Sequence, residues 1–119
     1  MTGLVAFAAT ASLAAAALAV TAGASVPGNP TVGKTLFVRS GLFCSSCHTL
    51  KAAGSKGRSG PNLDQTKLAY ATIVEIVTKG GKPSKQWPTG MPAYAGPHAE
   101  LDKARIEDIA AFIYNATHK

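Results

Sequence analysis

Cys44-Ser45-Ser46-Cys47-His48 is the stretch of sequence that decides the fold of this chain. It holds the only two cysteines among 119 residues, and a histidine follows the second one directly. This spacing is the motif for covalent attachment of a c-type haem. Two cysteines on one helical turn can form thioethers with two vinyl groups of a porphyrin, and the adjacent His48 can then bind the iron. One motif predicts one haem.

Three other uses of the cysteine pair fit the sequence less well. A structural zinc site needs four cysteine or histidine ligands, usually as paired clusters, and the sequence has no second pair. A redox dithiol of the thioredoxin kind would follow a strand in a β-α-β pattern, which the sequence does not show. A structural disulfide is compatible with an exported protein, but it gives no reason for His48.

A second axial ligand is expected for the iron, and Met91 is the main candidate. It is the only methionine apart from Met1, and it lies between Gly90 and Pro92 in a proline-rich loop. Such a loop is poorly suited to regular structure and can hold one side chain in a fixed place. A thioether is a soft ligand, and Met/His ligation raises the potential of a haem iron.

Two alternatives to this ligand remain open at the level of the sequence. Met91 could pack in a core, which is the usual role of a lone methionine on a helix. His98 lies seven residues further on and could bind the iron instead, although a surface histidine is its simpler interpretation. His118, near the C-terminus, is expected to have no role at the iron.

The first part of the chain is apolar, alanine-rich and uncharged. Residues 4–26 carry no charged side chain, whereas all twelve Lys and Arg residues come later. This stretch is long enough to span a bilayer, which takes about 20 residues. Ala22-Gly23-Ala24 before Ser25 also has the small-residue pattern of a signal-peptidase site. We therefore expect residues 1–24 to be an export signal or a membrane anchor and residues 25–119 to be the functional domain. Both interpretations place the domain outside the cytoplasm, in the periplasm or an equivalent compartment.

Helix signals in that domain predict an all-α fold. Asn29-Pro30 is an N-cap followed by a proline in the first turn, so a helix is expected to begin there. Gly33 inside this helix costs roughly 1 kcal/mol relative to alanine. The close approach of a second helix would justify that cost, and Phe112 is a candidate for the contact.

Two further helices are predicted later in the chain. Thr72-x-x-Glu75 is a capping box at the start of a short apolar helix that ends at Gly80. Asp102 caps the last helix, and Leu101 packs on Ile106 as a hydrophobic staple. The buried face of this last helix is expected to contain Ile106, Ile109, Ala110 and Ile113. Residues 55–61 predict a loop, and no strand is expected anywhere.

The domain resembles the class I c-type cytochromes over residues 32–114. Five matching segments occur in the family's order: Gly33 with Phe37, the motif at 44–48, Gly60-Pro61-Asn62-Leu63, Gly90-Met91-Pro92 and Ile109-Ala110-Ala111-Phe112-Ile113. The resemblance implies a small cytochrome c fold, with three to five helices wrapped around one covalently attached haem. It also implies that His48 and Met91 are the axial ligands and that the Pro61 carbonyl accepts the other N–H of His48. Such a contact fixes the orientation of the ring.

Two features depart from the family's pattern. The gap between Phe37 and Cys44 is longer than the commonest spacing, and the loop at residues 80–90 carries an additional Trp87. Trp87 is expected to contact the haem, either by packing against it or by donating its N–H to a propionate.

The charge of the chain suggests the class of partner. The formal net charge is +6, and seven cations fall between the haem motif and Met91: Lys51, Lys56, Arg58, Lys67, Lys79, Lys82 and Lys85. A basic rim near the haem edge would steer the protein toward redox partners with acidic docking faces. Nucleic-acid binding is not expected, because the sequence carries no motif for it.

The expected function is outer-sphere electron transfer by a protein that is not an enzyme. With both axial positions filled, no small-molecule substrate would bind the iron. One alternative is a tethered subunit of a larger respiratory, photosynthetic or dehydrogenase complex, with the leader as its anchor. A second alternative is a gas sensor or a peroxidase-like enzyme, which would require that Met91 does not bind the iron.

Overall fold

The computed structural model describes residues 3, 25–96 and 101–119. The described residues form four α-helices: α1 (Pro30–Phe37), α2 (Cys44–Cys47), α3 (Tyr70–Lys79) and α4 (Lys103–Thr117). Short 3₁₀ turns lie at Ser40–Leu42, Lys51–Ala53 and Leu63–Gln65. The prediction of an all-α fold is confirmed. All but one residue of the expected leader, together with His98, lie outside the described residues. Among the residues that are described, none belongs to a helix long and apolar enough to cross a membrane.

The prediction that the chain has no strand is wrong at one place. Strands β1 (Thr49–Leu50) and β2 (Ser55–Lys56) pair antiparallel, with Thr49 opposite Lys56 and Leu50 opposite Ser55. Each strand has only two residues, which is too short for an alternating pattern to be visible in the sequence. The expected loop at residues 55–61 therefore begins with a strand.

Helix α1 begins where the sequence predicts. The Asn29 side chain accepts hydrogen bonds from the N–H groups of Thr31, at 2.9 Å, and of Val32, at 3.3 Å. Pro30 occupies the first helical position, where its missing N–H costs nothing.

Helices α1 and α4 cross at Gly33, as the sequence suggested. A Cβ atom at Gly33 would lie 1.9 Å from the Asp108 carbonyl oxygen and 2.9 Å from Phe112 Cβ. Next to this crossing, the rings of Phe37 and Phe112 meet edge to face, with centroids 5.7 Å apart. The absent side chain thus allows two backbones to touch, and this contact compensates the helix-weakening effect of glycine.

Substituting Gly33→Ala should destabilise the protein by about 1–3 kcal/mol, because the new methyl group forces the two helices apart. Denaturant unfolding would measure the change. Gly41→Ala is the matched control, since a Cβ at Gly41 meets no atom within 4 Å. Equal stability of the two variants would contradict the proposed role of the crossing.

Asp108 ties the start of α1 to α4, a role the sequence did not indicate. The residue is 7% exposed. One carboxylate oxygen accepts from the N–H of Asn29 at 2.8 Å, and the other accepts from Arg105 Nη1 at 2.7 Å. A buried carboxylate is tolerated here because both of its oxygens are hydrogen-bonded.

Helix α3 begins earlier than predicted. It starts at Tyr70 after Ala69, whose side chain makes no capping hydrogen bond, so Thr72-x-x-Glu75 does not act as a capping box. Glu75 instead accepts from Lys79 Nζ at 3.3 Å on the exposed face of the helix. The helix ends as expected at Gly80, whose N–H donates to the Ile76 carbonyl.

Helix α4 follows the prediction closely. Asp102 caps it by accepting a hydrogen bond from the N–H of Arg105 at 2.9 Å. The predicted inner face is buried, and it comprises Ile106, Ile109, Ala110 and Ile113. This face forms one wall of the interior cavity described next, through Ile109 and Ile113.

Candidate functional site

The helices surround a deep cavity of about 1200 Å³, a volume that includes its open mouth. All six residues predicted to contact a cofactor line it: Cys44, Cys47, His48, Pro61, Trp87 and Met91. Most of the remaining wall is apolar and includes Phe37, Leu63, Leu68, Ile73, Ile76, Val77, Ile109 and Ile113. An apolar cavity with two thiols, an imidazole and a thioether on its walls fits a haem. The haem ring is apolar, and its iron takes nitrogen and sulfur ligands.

The two cysteines lie on the single turn of α2. Cys44 is buried, Cys47 is half-buried, and both are free thiols. Phe43 precedes the turn with a left-handed backbone, at φ 64°, and its side chain is exposed at the mouth of the cavity. His48 ends the turn in extended conformation while its N–H donates to the Cys44 carbonyl at 2.9 Å. The turn therefore presents both sulfur atoms and the imidazole to the same cavity.

Burial raises the pKa of the Cys44 thiol from 9.0 to about 11, because removal from water disfavours the thiolate. The thiol is therefore protonated at neutral pH. Cysteines of redox dithiols have a lowered pKa instead. The environment of Cys44 thus speaks against that use.

The imidazole of His48 is held from two sides. Its Nδ1 lies 2.8 Å from the Pro61 carbonyl oxygen, so that Nδ1–H donates to this carbonyl in the tautomer that leaves Nε2 free. Gly60 packs flat against the ring, since a Cβ atom at this position would lie 2.7 Å from His48 Cε1. The Gly60 N–H in turn donates to the Cys47 carbonyl at 2.8 Å. The loop before Pro61 is thereby fixed to the turn that carries the cysteines.

The β1–β2 hairpin supports the backbone of His48. Ser55 is buried, and its hydroxyl donates to the His48 carbonyl at 2.9 Å while accepting from the N–H of Leu50 at 3.0 Å. Thr49 Oγ1 donates to the Gly57 carbonyl at 2.9 Å. No sequence pattern indicated Ser55, because its role depends on a strand pair that is too short to leave one.

Met91 lies in the segment that follows α3, and a reciprocal pair of backbone hydrogen bonds with Gly81 fixes its backbone. The N–H of Gly81 donates to the Met91 carbonyl at 2.9 Å, and the N–H of Met91 donates to the Gly81 carbonyl at 2.8 Å. Gly80 directly precedes Gly81, and Gly90 directly precedes Met91. Both glycines bend the chain with a positive φ, at 72° and 69°. A Cβ at Gly80 would lie 2.5 Å from the Met91 carbonyl oxygen. The glycines flanking the pair are thus needed for the position of Met91.

Trp87 lies in a turn at the edge of the cavity. Its carbonyl accepts from the N–H groups of Ser84 and Gly90, and its own N–H donates to Ser84 Oγ at 3.0 Å. The side chain is half-buried and forms part of the cavity wall. The backbone of this tryptophan is therefore held by local hydrogen bonds.

Tyr94 is a wall residue that sequence reasoning missed. It is buried, and its hydroxyl donates to the Leu42 carbonyl, which belongs to the segment just before Cys44. Its backbone N–H donates to the Val77 carbonyl at 3.0 Å. Tyr94 thus joins the Met91 segment to the cysteine segment. The only sequence signal for Tyr94 as a wall residue was its position three residues after Met91.

Other candidate ligands lie elsewhere or belong to no cluster. His118 stacks on Tyr114, with ring centroids 4.0 Å apart, and is not part of the cavity wall. In the part of the chain that the structure describes, no group of three or more His, Cys, Asp or Glu side chains is arranged to hold a metal ion.

Comparison with known proteins matches the chain to a protein-family model and to solved structures. Residues 28–113 match a protein-family model described as cytochrome c oxidase, cbb3-type, subunit III. Among solved structures, the chain is similar to the c-type cytochrome SorU from Sinorhizobium meliloti, with a TM-score of 0.61 and 32% sequence identity. That similarity covers 76% of this chain and 92% of SorU. No curated protein matches the chain. The region matched by the family model contains all six predicted cofactor contacts.

Proposed function

Because the chain is a member of the monohaem class I c-type cytochromes, we propose that it passes single electrons between redox proteins outside the cytoplasmic membrane. The observation that carries this proposal is the convergence of Cys44, Cys47, His48 and Met91 on one apolar cavity. Electron transfer itself follows from the family. The attachment, the ligands, the partners and the location are what we propose here.

Several residues of the cavity wall have a task in this proposal. A haem bound in the cavity supplies an iron that takes up and releases one electron. Cys44 and Cys47 anchor the ring through thioethers. His48, oriented by the Pro61 carbonyl, and Met91, held by its backbone pair with Gly81, would hold the iron as its two protein ligands. No coordination position then remains for a substrate, which favours a carrier over a gas sensor or a peroxidase-like enzyme.

Two features would set the working potential. The apolar wall excludes water from the cavity, and a dry site disfavours the more highly charged oxidised state of the iron. Methionine ligation acts in the same direction, because a soft thioether stabilises reduced iron. The protein would thereby raise the reduction potential of the cofactor without providing a catalytic acid or base.

The exposed cations between the haem motif and Met91 are proposed to meet an acidic partner. Lys82 belongs to the cavity wall itself. Lys79 is less available, because it pairs with Glu75. The other exposed cations between the haem motif and Met91 are Lys51, Lys56, Arg58, Lys67 and Lys85.

Electron transfer to an acidic redox partner should slow about 10-fold or more as ionic strength rises, since salt screens the attraction that speeds encounter. Stopped-flow kinetics over a range of salt concentrations would measure this dependence. Lys82→Gln should weaken it, whereas Lys34→Gln, an exposed position on α1 outside the cavity wall, should leave it nearly unchanged. Equal salt dependence in both variants would contradict a docking face at the cavity mouth.

The intact mass of the protein from its native membrane and soluble fractions tests the central proposal. We expect the mass of the polypeptide plus one haem. A chain that begins at Ser25 in the soluble fraction would identify a diffusible carrier. A chain with its leader in the membrane fraction would identify a tethered one. A polypeptide without haem would contradict the proposal.

A second candidate function is a fixed subunit of a larger respiratory, photosynthetic or dehydrogenase complex. The match to a family described as an oxidase subunit favours this candidate. Residues 1–24 would then be retained as an anchor, and residues 25–119 would form the cytochrome domain. Co-purification with other subunits in mild detergent would separate this candidate from a free carrier.

A further inference from the structure

Tyr94 ties residues 81–94, the Met91 segment, to the cysteine side of the cavity. Among the described residues, the hydrogen bonds of residues 81–93 all join two members of that stretch. Such bonds make the segment rigid, but they do not fix it against the opposite wall. Tyr94 does so, because its N–H donates to the Val77 carbonyl of α3 and its hydroxyl donates to the Leu42 carbonyl. The placement of the segment against the cysteine turn therefore depends on this side chain.

The Leu42 carbonyl has no other strong hydrogen-bond donor in the part of the chain that the structure describes. Leu42 is 1% exposed, so water has little access to this oxygen. The second donor is the Cys44 thiol, whose sulfur lies 3.9 Å from the oxygen. A thiol is a weak donor, and a thioether has no proton to donate. Once a haem is attached through Cys44, the buried carbonyl depends on the Tyr94 hydroxyl.

The peptide group that Tyr94 holds lies next to a strained residue. Phe43 follows Leu42 and, among the described non-glycine residues, it alone has a positive φ, at 64°. A bulky residue rarely adopts this conformation, which persists where the surroundings enforce it. The hydrogen bond to the Leu42 carbonyl fixes the peptide group before Phe43, and Cys44 follows directly after. One hydroxyl therefore acts on the Met91 segment and on the turn that carries the cysteines.

We propose that Tyr94 is a positioning residue for the Met91 ligand, and that the bond from its hydroxyl to Leu42 keeps the iron closed to other ligands. Loss of this bond leaves the Met91 segment held by its internal bonds and by its attachment to α3, so local opening becomes more frequent. The inference rests on the proposed function, because it requires a haem with Met91 as a ligand.

Packing of the Tyr94 ring is the simpler explanation of how the segment is held, because Tyr94 is buried. Tyr94→Phe separates the two explanations, since it keeps the ring and removes only the hydroxyl. In the oxidised, haem-loaded protein at saturating cyanide, release of Met91 limits the rate of cyanide binding, which stopped-flow absorbance measures. This limiting rate should rise about 10-fold in Tyr94→Phe, because the closed state then leaves a buried carbonyl unpaired. A limiting rate equal to that of the parent would overturn the proposal.

Two control variants separate positioning from general stability. Tyr70→Phe also removes a tyrosine hydroxyl, but this hydroxyl is buried without a hydrogen-bond partner among the described residues. Ile106→Val loses core packing at a residue that is 2% exposed and lies outside the cavity wall. Both controls should bind cyanide at the limiting rate of the parent. If Ile106→Val speeds binding as much as Tyr94→Phe does, general destabilisation explains both effects and the proposal is overturned.

A measurement on the parent protein does not depend on any variant. In the reduced, haem-loaded form, the Tyr94 hydroxyl proton should give a nuclear magnetic resonance signal that is protected from exchange with water. A hydroxyl proton that exchanges freely would overturn the proposal.

These measurements distinguish failure of the inference from failure of the proposed function. They all use protein that carries one covalent haem, as verified by mass, and whose oxidised spectrum contains the methionine–iron band. A parent without the haem or without the band contradicts the proposed function, and the positioning role falls with it. A parent with both, together with an unchanged cyanide rate in Tyr94→Phe, contradicts the positioning role alone.

Discussion

Replacing Met91 with alanine should remove the methionine–iron charge-transfer band from the spectrum of the oxidised protein and lower its reduction potential. A fall on the order of 0.1 V or more is expected, within the roughly 0.8 V over which axial ligands set haem potentials. The physical reason is the loss of a soft thioether that stabilises reduced iron. Optical spectroscopy and a redox titration would measure both effects.

The same variant should bind carbon monoxide or cyanide readily, since a coordination position becomes open. Met91→His serves as the comparison, because it refills the position with a harder ligand and should restore resistance to these ligands while keeping the potential low. If the parent protein lacks the band and Met91→Ala stays closed to added ligands, Met91 is not the axial ligand. A further His98→Ala substitution would then show whether that histidine binds the iron.

Replacing both Cys44 and Cys47 with serine should abolish covalent haem attachment. Serine hydroxyls do not form the thioethers, so haem should be lost when the protein is denatured, and the intact mass should be that of the polypeptide alone. Each single variant should keep one thioether. Ser46→Ala is the control, because it alters the same turn without removing a sulfur.

The double cysteine variant should also be much less stable than the parent. The haem cavity is lined mainly by apolar side chains, and their packing partner is the cofactor itself. A domain of this size has few other apolar contacts to compensate for its loss. Circular dichroism during thermal unfolding would measure the effect. A double variant that retained haem through denaturation would contradict the attachment sites.

Local sequence signals predicted the starts of α1 and α4, the buried face of α4 and the contact between these two helices. The caps Asn29 and Asp102, the inner face of α4 and the close approach at Gly33 are each encoded by a few neighbouring residues or by a regular spacing. The start of α3 was predicted wrongly, because Ala69 precedes a helix that packing stabilises without a cap. Propensity and capping are weak signals when tertiary contacts decide.

The residues that line the candidate site were predictable because their chemistry is distinctive. Two cysteines, a histidine and a methionine in this order leave few other uses. The supporting contacts were not predictable, since they join distant parts of the chain. The Tyr94 hydroxyl meets the Leu42 carbonyl across 52 positions, and Asp108 meets Asn29 across 79. No local pattern encodes a partner at that separation.

The tie between Asp108 and Asn29 has a consequence for the order in which the protein is assembled. It joins the first described helix to the last one, so the wall of the cavity closes only after α4 has been made. Contacts this far apart form late in folding, because a long loop must close first. The cysteine turn lies well before α4 in the chain. Under the proposed function, a haem would therefore reach both thiols before the final helix closes the cavity.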